Sequence, residues 1–105
     1  MEKTYKLIGL SKRAGRLASG ESRVKSAIVT GEAVLVILAD DISPNTFKNI
    51  TDSCKYYGVE FLTLGSMEKL GHSVGNEFNA AVAILDDGLA NLIKNSLKNN
   101  DGGVA

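Results

Sequence analysis

Apolar positions along this chain follow two spacings that alternate. Residues 3 to 14 read as a helix, with Leu7, Ile8 and Leu10 apolar and Gly15 as a stop. The stretch "RLA", 16 to 18, is long enough for a short strand. Ser19 is placed to cap a helix over 20 to 30, whose buried stripe is Val24, Ala27 and Ile28 and whose end is Gly31. The opposite face of that helix carries Ser22 and Ser26, flanked by Arg23 and Lys25.

"AVLVILA", 33 to 39, is continuously apolar and β-branched, the pattern of a central strand covered on both faces. In the helix that follows, Ser43 caps, Pro44 fits the first position and Gly58 closes. Its predicted stripe is Phe47, Ile50, Cys54 and Tyr57. "VEFLTL", 59 to 64, is a further strand, and Ser66 caps a short helix holding Met67 and Leu70. "AAVAIL", 80 to 85, is a second buried strand. Asp86 and Asp87 cap a last helix carrying Leu89, Leu92, Ile93 and Leu97. The order α-β-α-β-α-β-α-β-α at these short spacings predicts crossover helices. The expected fold is a three-layer α/β/α sandwich around a four-stranded mixed, mostly parallel sheet. Residues 1 to 98 form one domain, and the polar, Gly-rich 99 to 105 are expected to be a flexible tail.

Charge alters this picture more than composition does. The 105 residues are 44% hydrophobic and formally neutral. Yet residues 1 to 25 hold seven Lys or Arg against two Glu, a net of +5, and the other 80 residues compensate with −5. A basic patch on a neutral molecule is focused, and it fits a localised anionic partner. One cysteine excludes an internal disulfide and suits a reducing compartment. No apolar run nears the roughly 20 residues of a membrane span, and no leader pattern precedes the first helix. The expected location is the cytoplasm, with no membrane partner.

Catalytic candidates are few. His72 is the only histidine, and Cys54 sits on an apolar helical stripe as a core cysteine does. Asp40-Asp41 and Asp86-Asp87 follow strands, but they also precede helix starts, where acids cap and favour the dipole. No metal-ligand spacing and no Gly-rich phosphate loop occurs. "LGHSVGNEF", 70 to 78, follows a helix and reads as a loop whose backbone approaches something closely. By contrast, a helix N-terminus bearing Ser22, Arg23 and Ser26, with basic residues on both sides, suits phosphate oxygens and base edges. Aromatic residues are absent from that stretch, and most of the molecule's Tyr and Phe fall on predicted core stripes. That favours a structured nucleic acid over a single-strand stacking platform.

Three segments, "LIGLSKRAGRLASGESRVKSAI", "VILADDISPNTFKNITDSCKYYGV" and "LGHSVGNEFNAAVAILDDGLANLI", resemble the L7Ae family of ribosomal and kink-turn RNA-binding proteins, nearest its small bacterial YlxQ-type branch. The resemblance runs from about residue 5 to 94. It implies an α/β/α sandwich in which a helix opening with a Gly-x-Asn-Glu-x-x-Lys pattern enters the major groove at tandem sheared G·A pairs. Gly20 matches that glycine, Ser22 stands at the asparagine position, Arg23 at the glutamate and Ser26 at the lysine. The resemblance further implies a second contact, in which Ser73, Val74 and Gly75 pack an apolar side chain, Val74, against an unstacked nucleotide. The reading residues depart from the family pattern: glutamate accepts hydrogen bonds, whereas Arg23 only donates.

The resulting expectation is a non-catalytic RNA-binding protein, ribosome-associated, that recognises a kink-turn or a similar structured RNA. No cofactor, metal or DNA is expected. The residues expected to carry it are Lys12, Arg13, Arg16, Ser19, Gly20, Glu21, Ser22, Arg23, Lys25, Ser26, Ser73, Val74 and Gly75. A protein–protein adaptor on the same fold is the alternative. A small α/β enzyme using Asp40, Asp41 or His72 is a third reading.

Overall fold

The computed structural model describes the backbone of residues 2–102 and the side chains of residues 2–98. Nine elements follow in the predicted order: α1 (Glu2–Arg13), β1 (Leu17–Ser19), α2 (Glu21–Val29), β2 (Leu35–Leu38), α3 (Pro44–Tyr57), β3 (Glu60–Thr63), α4 (Met67–Ser73), β4 (Ala81–Ile84) and α5 (Asp87–Gly102). Helix α5 continues through Gly102, so the first four residues of the expected tail are helical. Residues 103–105 lie outside the described residues. Among the described residues, no helix is long and apolar enough to cross a membrane.

The strands form one sheet in the order β1-β4-β2-β3. Strand β2 pairs parallel with β3, but β4 pairs antiparallel with both β1 and β2. Two of the three pairings are thus antiparallel, which corrects the expectation of a mostly parallel sheet. The physical reason is the insertion of β4. Strands β1, β2 and β3 all run one way, as crossover helices require, while β4 returns against them between β1 and β2. The apolar spacing fixes which face a residue occupies, and it carries no information on which strand lies alongside.

The alternation along the strands builds two cores. Leu35, Ile37, Val82 and Ile84 meet Ile8, Leu70, Val74 and Ile93, contributed by α1, α4 and α5 and the residue just after α4. Val36, Leu38, Ala81 and Ala83 meet Val24, Ala27, Ile28, Ile50 and Cys54 of α2 and α3 on the other face. A buried hydrogen bond between the Thr4 and Ser96 hydroxyls, 2.6 Å, ties α1 to α5.

Most predicted caps are present. The Thr46 N–H donates to Ser43 Oγ at 3.2 Å, with Pro44 at the first turn of α3. The Lys69 N–H donates to Ser66 Oγ, and the Leu89 N–H to Asp86 Oδ2. Asp41 acts across the chain instead of capping α3: its Oδ1 accepts from the Met67 N–H at 2.8 Å and so caps α4. Ser19 does not cap α2. It ends β1, opposite Val82, and Gly20 takes the cap position at φ 94°, a left-handed value that a serine avoids.

The predicted stripe of α3 is buried only in its middle. Ile50, Thr51 and Cys54 are buried, whereas Phe47 and Tyr57 are exposed. Fourteen helical residues span about 21 Å and four strand residues about 13 Å, so the helix ends overhang the sheet.

Candidate nucleic-acid interface

The backbone joins two of the predicted regions. After β1 the Gly20 N–H donates to Ala81 O at 3.1 Å, extending the β1–β4 ladder by one bond before the chain turns into α2. The N-terminus of α2 therefore stands beside the start of β4, and the segment just before β4 is the loop that follows α4. Gly20 sits in open space, with no atom within 4 Å of where a β-carbon would be. Beyond it Ser22, Arg23 and Ser26 form one exposed face, while Val24, Ala27 and Ile28 are buried as the spacing predicts. Glu21 and Lys25 flank that face and are half-buried. Gly20 accepts from the Val24 N–H, but no side chain caps the helix, so the remaining first-turn N–H groups are left to an outside acceptor.

The other basic residues lie elsewhere. Lys12 and Arg13 end α1, and Arg16 sits at the start of β1, where its carbonyl accepts from the Leu85 N–H. All three are exposed. They occupy the opposite end of β1 from Gly20, about 13 Å along an extended chain. The +5 segment is thus spread over three places: Lys3 and Lys6 in the first half of α1, Lys12, Arg13 and Arg16 before β1, and Arg23 and Lys25 on α2. Among the described residues, the ion pairs are Lys48–Asp52 and Lys94–Glu60, so no cation of residues 2–25 is neutralised by a carboxylate within 4 Å.

The second predicted contact needs a correction. Val74 is 5% exposed and packs in the core with Leu70. It lies four residues beyond Leu70 and so shares that residue's buried side, one turn further along. Ser73 is half-buried, with its hydroxyl donating to Leu70 O at 2.6 Å. Gly75 is exposed, and so are Asn76, Glu77 and Phe78. The exposed apolar group of this loop is Phe78, at 63%. Sequence reasoning missed it by placing the aromatic residues on core stripes; Phe47, Tyr56, Tyr57 and Phe78 are all exposed. The available signal was the polar run Gly75-Asn76-Glu77 before Phe78, which breaks any buried period.

The loop is held close against α4. The Asn76 N–H donates to Gly71 O at 2.9 Å and the Asn79 N–H to Met67 O at 3.0 Å. A β-carbon on Gly71 would stand 2.7 Å from both N and Cα of Phe78, so only glycine allows this approach. Asn79 is buried, and its amide nitrogen has no partner among the described residues, a polar cost carried at the base of the loop.

The catalytic candidates do not converge. Asp41 is engaged at Met67, Asp86 at Leu89, and His72 is exposed on α4. Cys54 is buried in the core, and burial pushes its thiol up to about 11.

The sequence profile of the ribosomal protein L7Ae/L30e/S12e/Gadd45 family matches residues 2–94. The chain belongs to this family. Among the family's proteins similar to it is RNA-binding protein YlxQ of Bacillus subtilis (strain 168), 42% identical over 87 residues, covering 83% of this chain and 87% of that one. RNA-binding protein YlxQ of Enterococcus faecium is 34% identical over 93 residues, covering 89% of each. A solved structure of a Bacillus halodurans protein of unknown function superposes with a TM-score of 0.83 at 30% identity, covering 88% of this chain and 93% of that one. The Giardia lamblia 15.5kD RNA binding protein shares the fold, with a TM-score of 0.76 at 22% identity over 87% of this chain and 78% of that one. The L7Ae-type sandwich is therefore the frame on which the α2 face and the 75–79 loop are displayed.

Proposed function

We propose that this chain is a non-catalytic RNA-binding protein that recognises a kink-turn or a similarly bent, structured RNA and acts in association with the ribosome. The observation that carries this reading is the Gly20–Ala81 hydrogen bond, which fixes the start of α2, with its exposed Ser22–Arg23–Ser26 face, at the start of the strand that the exposed 75–78 loop leads into. The YlxQ relatives, named as RNA-binding proteins, support it.

Each group has a role that its chemistry allows. The open N-terminus of α2 offers N–H donors and a positive dipole end to phosphate or to base-edge acceptors. Arg23 pairs two donors with guanine O6 and N7 in an opened major groove. Ser22 and Ser26 donate or accept as the base edge requires. Phe78, in place of Val74, covers an unstacked nucleotide. Lys12, Arg13 and Arg16, at the other end of β1, contact phosphates of the flanking helix.

The test is a titration of a kink-turn hairpin beside a straight duplex of equal length and charge. Preference for the hairpin is expected, with affinity falling steeply as salt rises. Equal affinity for the two RNAs refutes bent-RNA recognition, and absence of binding to both refutes the RNA reading. A second reading, a protein adaptor, is favoured by one observation: Tyr56, 83% exposed, packs edge-on against Tyr57 at 4.9 Å on the outer end of α3. It gains if the purified protein carries no nuclease-sensitive ultraviolet absorbance.

A further inference from the structure

A groove of about 680 Å³ runs between α1 and α4, outside the face assigned above. Its floor is backbone: a β-carbon on Gly9 would lie 2.8 Å from Ser73 O, so the two helices meet there almost in contact. Its walls carry Lys6 and Arg13 from α1, and Lys69 and His72 from α4. Lys6 and Arg13 are seven residues apart, about 10 Å along the helix, and Lys69 and His72 lie one turn apart on the facing helix. None of the three permanent cations has a carboxylate within 4 Å among the described residues. The lining carboxylate, Glu2, is at the far end of α1 from Arg13; at that same outer end burial, and after it the nearby Asp40, raises the Tyr5 hydroxyl pKa.

The groove is continuous with the proposed RNA face through the chain itself. Ser73 lines the groove and ends α4, and the next five residues form the loop that seats Phe78 and leads to Ala81, the partner of Gly20. We propose that this α1/α4 groove is a strand channel, which takes the phosphodiester backbone of a single RNA strand leaving the folded element held at α2. The assignment rests on the RNA-binding reading. It follows from three permanent cations on two facing walls, none with a carboxylate within 4 Å among the described residues, from a backbone floor where Gly9 meets Ser73 O, and from the run of chain that leads from Ser73 to Ala81.

The experiment uses the full chain and a kink-turn hairpin, bare or extended at either end by about ten unpaired adenosines, a length within reach of one small domain. One extended hairpin is expected to bind about tenfold more tightly than the bare one at low salt. Its log–log salt slope should be steeper by about 1.4, which corresponds to two further single-strand phosphates at about 0.7 each. The double variant Lys6→Gln/Lys69→Gln changes two exposed side chains. It should lose that gain and keep the parent's affinity for the bare hairpin. A variant with the same charge change on α3, Lys48→Gln/Lys55→Gln, should keep the gain. Three results overturn the channel while the α2 reading stands: extensions that add nothing, a groove variant that loses equally on bare and extended RNA, or an α3 variant that loses the gain as well. Saturation of the groove by free pyrophosphate at micromolar concentration without RNA would also overturn it, by assigning the site to a small anion. A parent that binds no bare hairpin defeats the RNA reading itself, and the channel falls with it.

Discussion

Phe78 and Val74 lie four residues apart around one turn of chain, and their substitution should separate folding from binding. Phe78 is 63% exposed, so Phe78→Ala removes a side chain that folding buries only in part. Stability should change by well under about 1 kcal/mol, as surface substitutions usually do. If the ring covers a base, its removal costs about 1–3 kcal/mol of binding, or roughly 5- to 150-fold in Kd. Val74→Ala behaves oppositely. Two buried methyl groups carry about 0.8 kcal/mol each, and the cavity left in a close-packed core raises the loss to about 2 kcal/mol. For a domain of this size that lowers Tm by roughly 8–16 °C. The folded fraction should bind hairpin RNA as the parent does. Thermal melts and hairpin titrations of both variants check this. A Phe78→Ala protein with parental affinity refutes the loop contact. A Val74→Ala protein that keeps its Tm and loses affinity refutes the assignment of Val74 to the core.

Arg13→Ala should weaken every RNA similarly and flatten the salt slope by about 1, whereas Arg23→Ala should change the preference between a kink-turn and a straight duplex; parallel titrations in several salts compare them. Gly71→Ala should gain up to about 1 kcal/mol of helix propensity. It should lose about 1–3 kcal/mol because the new carbon meets the backbone of Phe78 at 2.7 Å. The expected net is a lower Tm together with weaker RNA binding as the loop is displaced, and a Tm above the parent's would contradict the close packing. Burial raises the Cys54 thiol from 9.0 to about 11, so the folded state favours the protonated form. That contribution is full below pH 9 and lost as pH rises towards about 11. Denaturant titrations over this window should show a shallower decline for Cys54→Ala than for the parent.

The element order was legible because each boundary has a local chemical mark. Ser43-Pro44 opens α3, Gly58 closes it, and Ser66 and Asp86 receive the N–H groups expected of them. Faces were legible too, since the period of β2 and β4 sorts their residues between two cores. Neighbours were not, because spacing along a strand says nothing about the strand beside it; hence the unforeseen place of β4. The α2 face was legible from the offset of Ser22 and Ser26 against Val24, Ala27 and Ile28. The exposures of Val74 and Phe78 were not legible, because Val74 belongs to the turn of α4 that precedes the loop, and Phe78 is exposed by a backbone reversal that only Gly71 permits. Asp41 was read as a local cap, yet its acceptor serves a helix 26 residues away, a pairing that tertiary structure creates.

The place of β4 bears on how the molecule comes into being. β1 and β2 each pair with β4 and not with each other, and Ser19 waits for Val82 across more than half of the chain. Contacts of such long separation form late and slow the search for the native state. During synthesis the first 80 residues can assemble β2, α3 and β3, while β1 has no sheet to join. The last strand then enters as a wedge and closes the sheet from within. It also delivers Ala81 O to Gly20, so the start of α2 is fixed in the same step. Positioning of the α2 face and completion of the fold are one event, and a nascent or truncated chain lacking β4 lacks the bond that fixes the start of α2.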